Sequence, residues 1–281
     1  MRSVSLALLS CGLALCGATA SLAQQASTAA PTSSAPAPSA SASQPTDRLT
    51  FSGDGATLTN TDGGGGGSVG YLHGFSPALL VGAGAEYQKL YTADWAFGSL
   101  NAAYSHPLTA TTVGNIHGEI HEGSGHSAGE SFRYGIEALG VGSSIPGGFA
   151  LDLEERQIDV FTSHGSLPKV SLAKAWGTRW LTSVSYAYSF GGNLNTNYSL
   201  ARVDYYGAFL NLLAGGSVGR VNPVVLGING VLEGHALHSH EVFAGVTKRF
   251  GRFDLSLLGD YIDLEGNKHF IGTLAGTWYL R

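Results

Sequence analysis

Cysteine is missing from almost the whole chain. Its two cysteines, Cys11 and Cys16, both lie near the N-terminus, so nothing beyond them can form a disulfide or act as a thiol. Charge is scarce as well. Charged residues are 12% of the 281, about half the usual share of a soluble domain. Beyond the N-terminal segment no run of about 18 uninterrupted apolar residues occurs, which excludes a membrane-spanning helix there. There is also no basic stripe. Lys and Arg number 15 against 20 Asp and Glu, for a net charge of −5, and this balance excludes nucleic acid as a partner.

What is present points one way. Glycine is abundant, at 41 residues, and the mean hydropathy is slightly positive at +0.09. Low charge without a long apolar run is what a membrane β-barrel produces, because its apolar residues are spread one in two along each strand.

Residues 1–23 have the pattern of a secretory signal peptide, with Arg2, an apolar stretch over 6–14 and the small-x-small site Ser21-Leu22-Ala23. Ala18-Thr19-Ala20 is a competing cleavage site. A retained anchor, or a lipoprotein leader cut before Cys11, would need a longer apolar core. Residues 24–46 are rich in Ala, Ser and Pro, with no charge and no aromatic ring. Such a segment buries too little surface to offset its entropy, and it is expected to be a disordered linker. Residues 47–281 then carry the fold.

The end of the chain sets the pattern for the rest. Phe253, Leu255, Leu257, Gly259 and Tyr261 alternate with Asp254, Ser256, Leu258 and Asp260. Phe270, Gly272, Leu274, Gly276 and Trp278 alternate with Thr273, Ala275 and Thr277. A period of two over about ten residues, cut by short turns, marks antiparallel strands. Similar stretches fall near 49–58, 68–75, 80–89, 97–105, 111–121, 131–141, 149–161, 169–176, 180–190, 197–205 and 209–218, with three more in 239–280. That makes an all-β, antiparallel, up-and-down transmembrane β-barrel of about 14 strands, or 12 if weak early strands merge.

Tight turns at 76–78, 106–108, 145–148, 177–179 and 251–252 alternate with longer polar loops at 61–67, 122–130, 162–168, 191–196, 219–238 and 265–268. This is the barrel habit of short periplasmic turns and long extracellular loops. The apolar stretch Val224-Val225-Leu226-Gly227-Ile228 is read either as a plug or as a strand.

Parity assigns faces. Trp180, Val184, Tyr186, Tyr188 and Phe190 are expected toward lipid, with Ser183 and Ser185 toward the lumen. Asn115, His117, Glu119 and His121 are expected to line the lumen too, joined by Arg133 and Glu137 from the next strand. Glu154-Glu155-Arg156 breaks the pattern, and a β-bulge would absorb the slip.

Three local patterns carry a family resemblance. They are Tyr104-Ser105-His106-Pro107-Leu108, the run from Ser171-Leu172-Ala173-Lys174 through Trp176-Gly177 to Trp180, and the spacing of Arg202, Tyr205-Tyr206-Gly207 and Asn222-Pro223. Over residues 49–280 the chain resembles the YaiO family of outer-membrane β-barrel proteins. The resemblance implies an outer-membrane barrel with no catalytic residue, in a group whose relatives occur with envelope polysaccharide systems. The C-terminus departs from the habit of bacterial barrels, since Leu280-Arg281 follows Trp278-Tyr279 where an aromatic end is usual.

Other constellations are weaker. His235, His238 and His240 are close in sequence and imidazole suits Zn, Cu and Ni, but a solvated loop cluster explains them equally. Asp152, Glu154, Glu155 and Asp159 lack the spacing of a calcium loop. Gly63 to Gly67 lacks the Lys-Ser/Thr of a phosphate loop and reads as a mobile loop. In His126-Ser127 and Ser239-His240 the neighbours point to opposite strand faces, which is wrong for a nucleophile and its base.

The expectation is a non-enzymatic, porin-like or polysaccharide-export-associated outer-membrane barrel of a Gram-negative envelope, without cofactor or metal. Its expected partners are outer-membrane lipid, the barrel assembly machinery and a sugar or polysaccharide. An enzyme acting on envelope lipid and an adhesive surface protein are the alternatives.

Overall fold

A computed structural model describes residues 47–58, 61–90, 93–127, 129–222 and 236–280. The leader, the linker, the 224–228 segment and His235 lie outside the described residues. Every regular element described is a strand: β1 Arg48–Leu58, β2 Thr61–Gly74, β3 Leu79–Leu90, β4 Ala93–Pro107, β5 Val113–Ser127, β6 Glu130–Ile145 and β7 Phe149–Val160. The second half comprises β8 Ser163–Trp176, β9 Trp180–Tyr188, β10 Asn197–Tyr206, β11 Asn211–Val221, β12 Leu237–Phe250, β13 Phe253–Leu264 and β14 Asn267–Tyr279. Each strand pairs antiparallel with its neighbours in sequence, and β1 pairs with β14 from Arg48↔Tyr279 to Leu58↔His269. The barrel is therefore closed, with no free edge to recruit another strand.

The outer face is apolar through the middle of the strands. Leu257 pairs with Leu274 and Val184 with Leu172, and all four are exposed. Aromatic residues flank this belt, with Phe253 and Trp278 on the terminal side and Tyr261 and Phe270 on the loop side of the last hairpin. Exposed apolar side chains ringing a closed barrel between aromatic rows are the surface of a membrane barrel.

Several strands run further than the sequence suggests. The five glycines at 63–67 are not a loop. They lie in β2, where Gly64 to Gly67 ladder to β1 on one side and β3 on the other and Gly63 falls at the register shift with β1. Without side chains they show no alternation, yet their backbone groups pair like any others. Much of 122–130 belongs to β5 and β6, and most of 162–168 to β8. Pro107 ends β4 rather than making its turn, which spans 108–112.

No bulge interrupts β7. Its register with β6 and β8 is continuous, so Glu154 and Arg156 face the interior and Glu155 faces outward. The outward Glu155 is no isolated charge, because both Gln157 Nε2 and the Ser166 hydroxyl donate to it.

The interior is graded along the axis. Toward the loop end it is mainly apolar, with Trp95, Phe97, Phe132, Tyr134, Ile158, Val160, Phe243, Ile262 and Leu264 buried in one cluster, and with Glu86, Glu241 and Asp260 buried at the same levels opposite Phe97, Ile262 and Phe243. Phe97 stacks on Tyr134 at 4.7 Å. The β9–β10 loop dips into this layer and buries Leu194. Asn222, just past β11, holds the mouth together: its backbone N–H donates to Thr196 Oγ1 and its side chain to Ser163 Oγ at the start of β8. Toward the terminal end the wall is mostly polar, with half-exposed hydroxyls beside buried groups such as Arg48, Asp204 and Asp254. Hydroxyl pairs cross between strands there, Ser52 with Ser68 at 2.8 Å and Thr247 with Ser256 at 2.8 Å.

Candidate functional site

Between the apolar layer and the polar vestibule lies a band of charge. It is built on β5, β7 and β8, whose inward positions alternate strictly with lipid-facing ones. His117, Glu119 and His121 project inward from β5, Asp152, Glu154 and Arg156 from β7, and Lys169 from β8. β6 separates β5 from β7 and contributes Ala138, Gly140 and Gly142 to the same face.

Arg156 is the hub. Its Nε lies 2.6 Å from Glu154 Oε1, and its Nη2 lies 3.0 Å from Glu119 Oε1. Lys169 Nζ sits 2.9 Å from the same Glu154 oxygen. The other oxygen, Glu154 Oε2, is 3.5 Å from His117 Nε2, and His117 Nδ1 is 3.8 Å from Asp152 Oδ2. His121 approaches Glu119 at 3.5 Å and meets the Phe97 ring edge-on, at the border with the apolar layer. Buried ions are tolerated only when paired, and the carboxylates Glu119 and Glu154 are paired here. A second pair, Arg202 with Asp204, and the Arg249–Asp254 fork joined by the Tyr279 hydroxyl lie nearer the terminal end.

Of the eight expected lumen residues, Asn115, His117, Glu119, His121, Ser183 and Ser185 fall on the inner face. Ser185 donates to Ser171 Oγ, another inward hydroxyl. Arg133 and Glu137 do not. They face outward, because Glu137 pairs with Ile120 and Gln157 while Arg133 bonds Glu122 at 2.8 Å. The strands continue past the lipid belt, so outward residues near the loop end are solvated and polar. The alternate positions of the same strand, Phe132, Tyr134, Ile136 and Ala138, are the ones that pack the interior.

Sequence reading missed Asp152, Glu154, Arg156 and Lys169 as one group with the β5 residues. The usable signal was the pair of glycines at 140 and 142, which lets side chains cross β6. His238 and His240 lie on the exposed outer face of β12. His126 is outward and exposed while Ser127 is buried. Ser239 is inward while His240 is outward, so neither Ser-His pair shares a face.

Charged side chains fixed on an inner wall can bind and orient a polar or ionic group. No family model matches the chain, and no curated protein matches it. Solved structures with the same fold include the CymD monoaromatic hydrocarbon channel, with 10% identity, a TM-score of 0.55, and coverage of 85% of this chain and 90% of that one. The Pseudomonas putida toluene transporter TodX matches at 11% identity and TM-score 0.51, covering 84% and 91%. A bacterial polysaccharide outer membrane secretin matches at 8% identity and TM-score 0.54, covering 85% and all of that chain. These likenesses carry the fold alone, that of outer-membrane barrels.

Proposed function

We propose that the chain is a non-enzymatic outer-membrane channel, seated in lipid by its apolar belt and gated at its loop end. The observation that carries this reading is the graded interior: a polar vestibule that mixes half-exposed hydroxyls with buried ion pairs, a charged band, then a buried layer in which aromatic and aliphatic side chains outnumber the acids among them. A freely open pore for hydrophilic solutes would keep its wall wet throughout. An apolar layer across the path instead suits small aromatic or amphipathic solutes, or a gate that conducts only when the layer parts. That two barrels of the same fold are named a monoaromatic hydrocarbon channel and a toluene transporter agrees with the first of these.

Polysaccharide export is the second reading. It is favoured by the YaiO-like motifs and by the fold shared with the polysaccharide secretin. The buried layer weighs against it, since a polymer needs a continuous wet path.

The test is transport by refolded protein in proteoliposomes. The wild-type barrel should pass small aromatic solutes faster than disaccharides and show little steady ionic conductance. Phe97→Ala with Phe243→Ala should raise conductance severalfold. A large ohmic conductance in the wild type, unchanged in the double variant, would refute the gate.

A further inference from the structure

The inner wall carries an arrangement that neither channel reading requires. His117, Asp152 and Glu154 each present one donor atom, and the three atoms lie within 4.8 Å of one another. Tetrahedral bonds of about 2.0–2.2 Å would place such donors roughly 3.3 Å apart, so small side-chain rotations complete the set.

Several features mark this as a built site rather than a chance grouping. Asp152 is almost fully buried, and its Oδ1 has no hydrogen-bond partner among the described residues. His117 Nε2 meets Glu154 Oε2 only at 3.5 Å. Glu119 and Glu154 share Arg156, and Glu154 also has Lys169, whereas the nearest charged partner of Asp152 is an imidazole 3.8 Å away. A buried carboxylate left so is costly unless a proton or a metal cation supplies the balance.

The glycines of β6 open the site. A Cβ on Gly140 would sit 2.2 Å from His117 Nε2, and one on Gly142 would sit 2.8 Å from Asp152 Oδ2 and 2.2 Å from Asn115 Oδ1. Only residues without a side chain there let β5 groups lean across to β7. The Asn115 amide oxygen leans over the same glycine, Gly142.

We propose that His117, Asp152 and Glu154 bind a divalent transition-metal ion inside the barrel, with Glu154 using the oxygen not held by Arg156 and Lys169. One imidazole nitrogen with carboxylate oxygens suits Zn²⁺, Co²⁺ or Mn²⁺ and disfavours Ca²⁺ and Mg²⁺, which take all-oxygen shells.

The experiment is calorimetric titration of chelator-treated, refolded barrel in detergent with Zn²⁺, and with Co²⁺ followed by visible absorption. One ion per barrel is expected, with Co²⁺ bands of a low-symmetry N/O site. His117→Ala and Asp152→Asn should each weaken binding about tenfold or more, and Gly140→Ala should weaken it by filling the slot. His240→Ala, on the outer face, should leave it unchanged. If Asp152→Asn does not fold, as judged by heat-dependent gel mobility, His117→Gln decides alone. No uptake by the wild type, or uptake as tight as the wild type's in both His117→Ala and His117→Gln, would overturn the site.

Discussion

Glu154 and Arg156 stand two residues apart on one face of β7, and their side chains meet at 2.6 Å inside the barrel, while Glu155 between them points outward. A run of three charges thus sits in an unbroken strand because the interior holds two of them and the solvated outer collar holds the third.

Replacing Arg156 by Met should strand Glu119 and weaken the hold on Glu154. Breaking a buried pair from one side costs about 3–5 kcal/mol. Urea unfolding in lipid vesicles should show that loss. Arg133→Met on the exposed outer collar should leave the midpoint unmoved, because water already screens its pair with Glu122. Equal effects of the two changes would contradict the assigned faces.

Lipid contact predicts a depth dependence. Leu257, exposed on β13 midway between the aromatic rows, should tolerate Arg poorly, at a cost of about 2–4 kcal/mol near the bilayer midplane. The same change at Gln157, on the outer collar beside Glu155, should cost roughly 0–1 kcal/mol. Folding free energies in bilayers of fixed thickness check both.

At the mouth, Leu194 is fully buried within the apolar layer although it belongs to a loop. Leu194→Ala should cost about 2–5 kcal/mol, in the range of large-to-small core substitutions. It should also raise single-channel conductance. Lost stability with conductance unchanged would leave Leu194 a packing residue with no part in the gate.

Much of this barrel is legible in the amino-acid pattern. The last hairpin alternates so regularly that parity alone turns Leu257, Leu274 and Trp278 outward, and the same rule turns Ser183 and Ser185 inward. What misleads is the assumption that outward always means apolar. It turns Arg133 and Glu137 inward, yet a strand longer than the membrane is thick carries polar residues outward above it. The glycine run at 63–67 is illegible for the opposite reason, having no side chains to alternate. The charged band depends on contacts across β6, and no spacing within one strand reveals that His117 reaches Asp152 over Gly140 and Gly142.

Val184 and Ser185 offer the most direct measurement. They are neighbours on β9 with opposite faces, and the chain beyond Cys16 has no cysteine to compete for a label. Spin labels on Val184→Cys and Ser185→Cys, in separate proteins reconstituted in bilayers, should respond oppositely. The first should be relaxed by lipid-soluble oxygen and the second by a water-soluble nickel chelate reaching it through the vestibule. The reverse order, or equal access of the chelate to both, would contradict a barrel with its apolar face in lipid and its polar wall around the path.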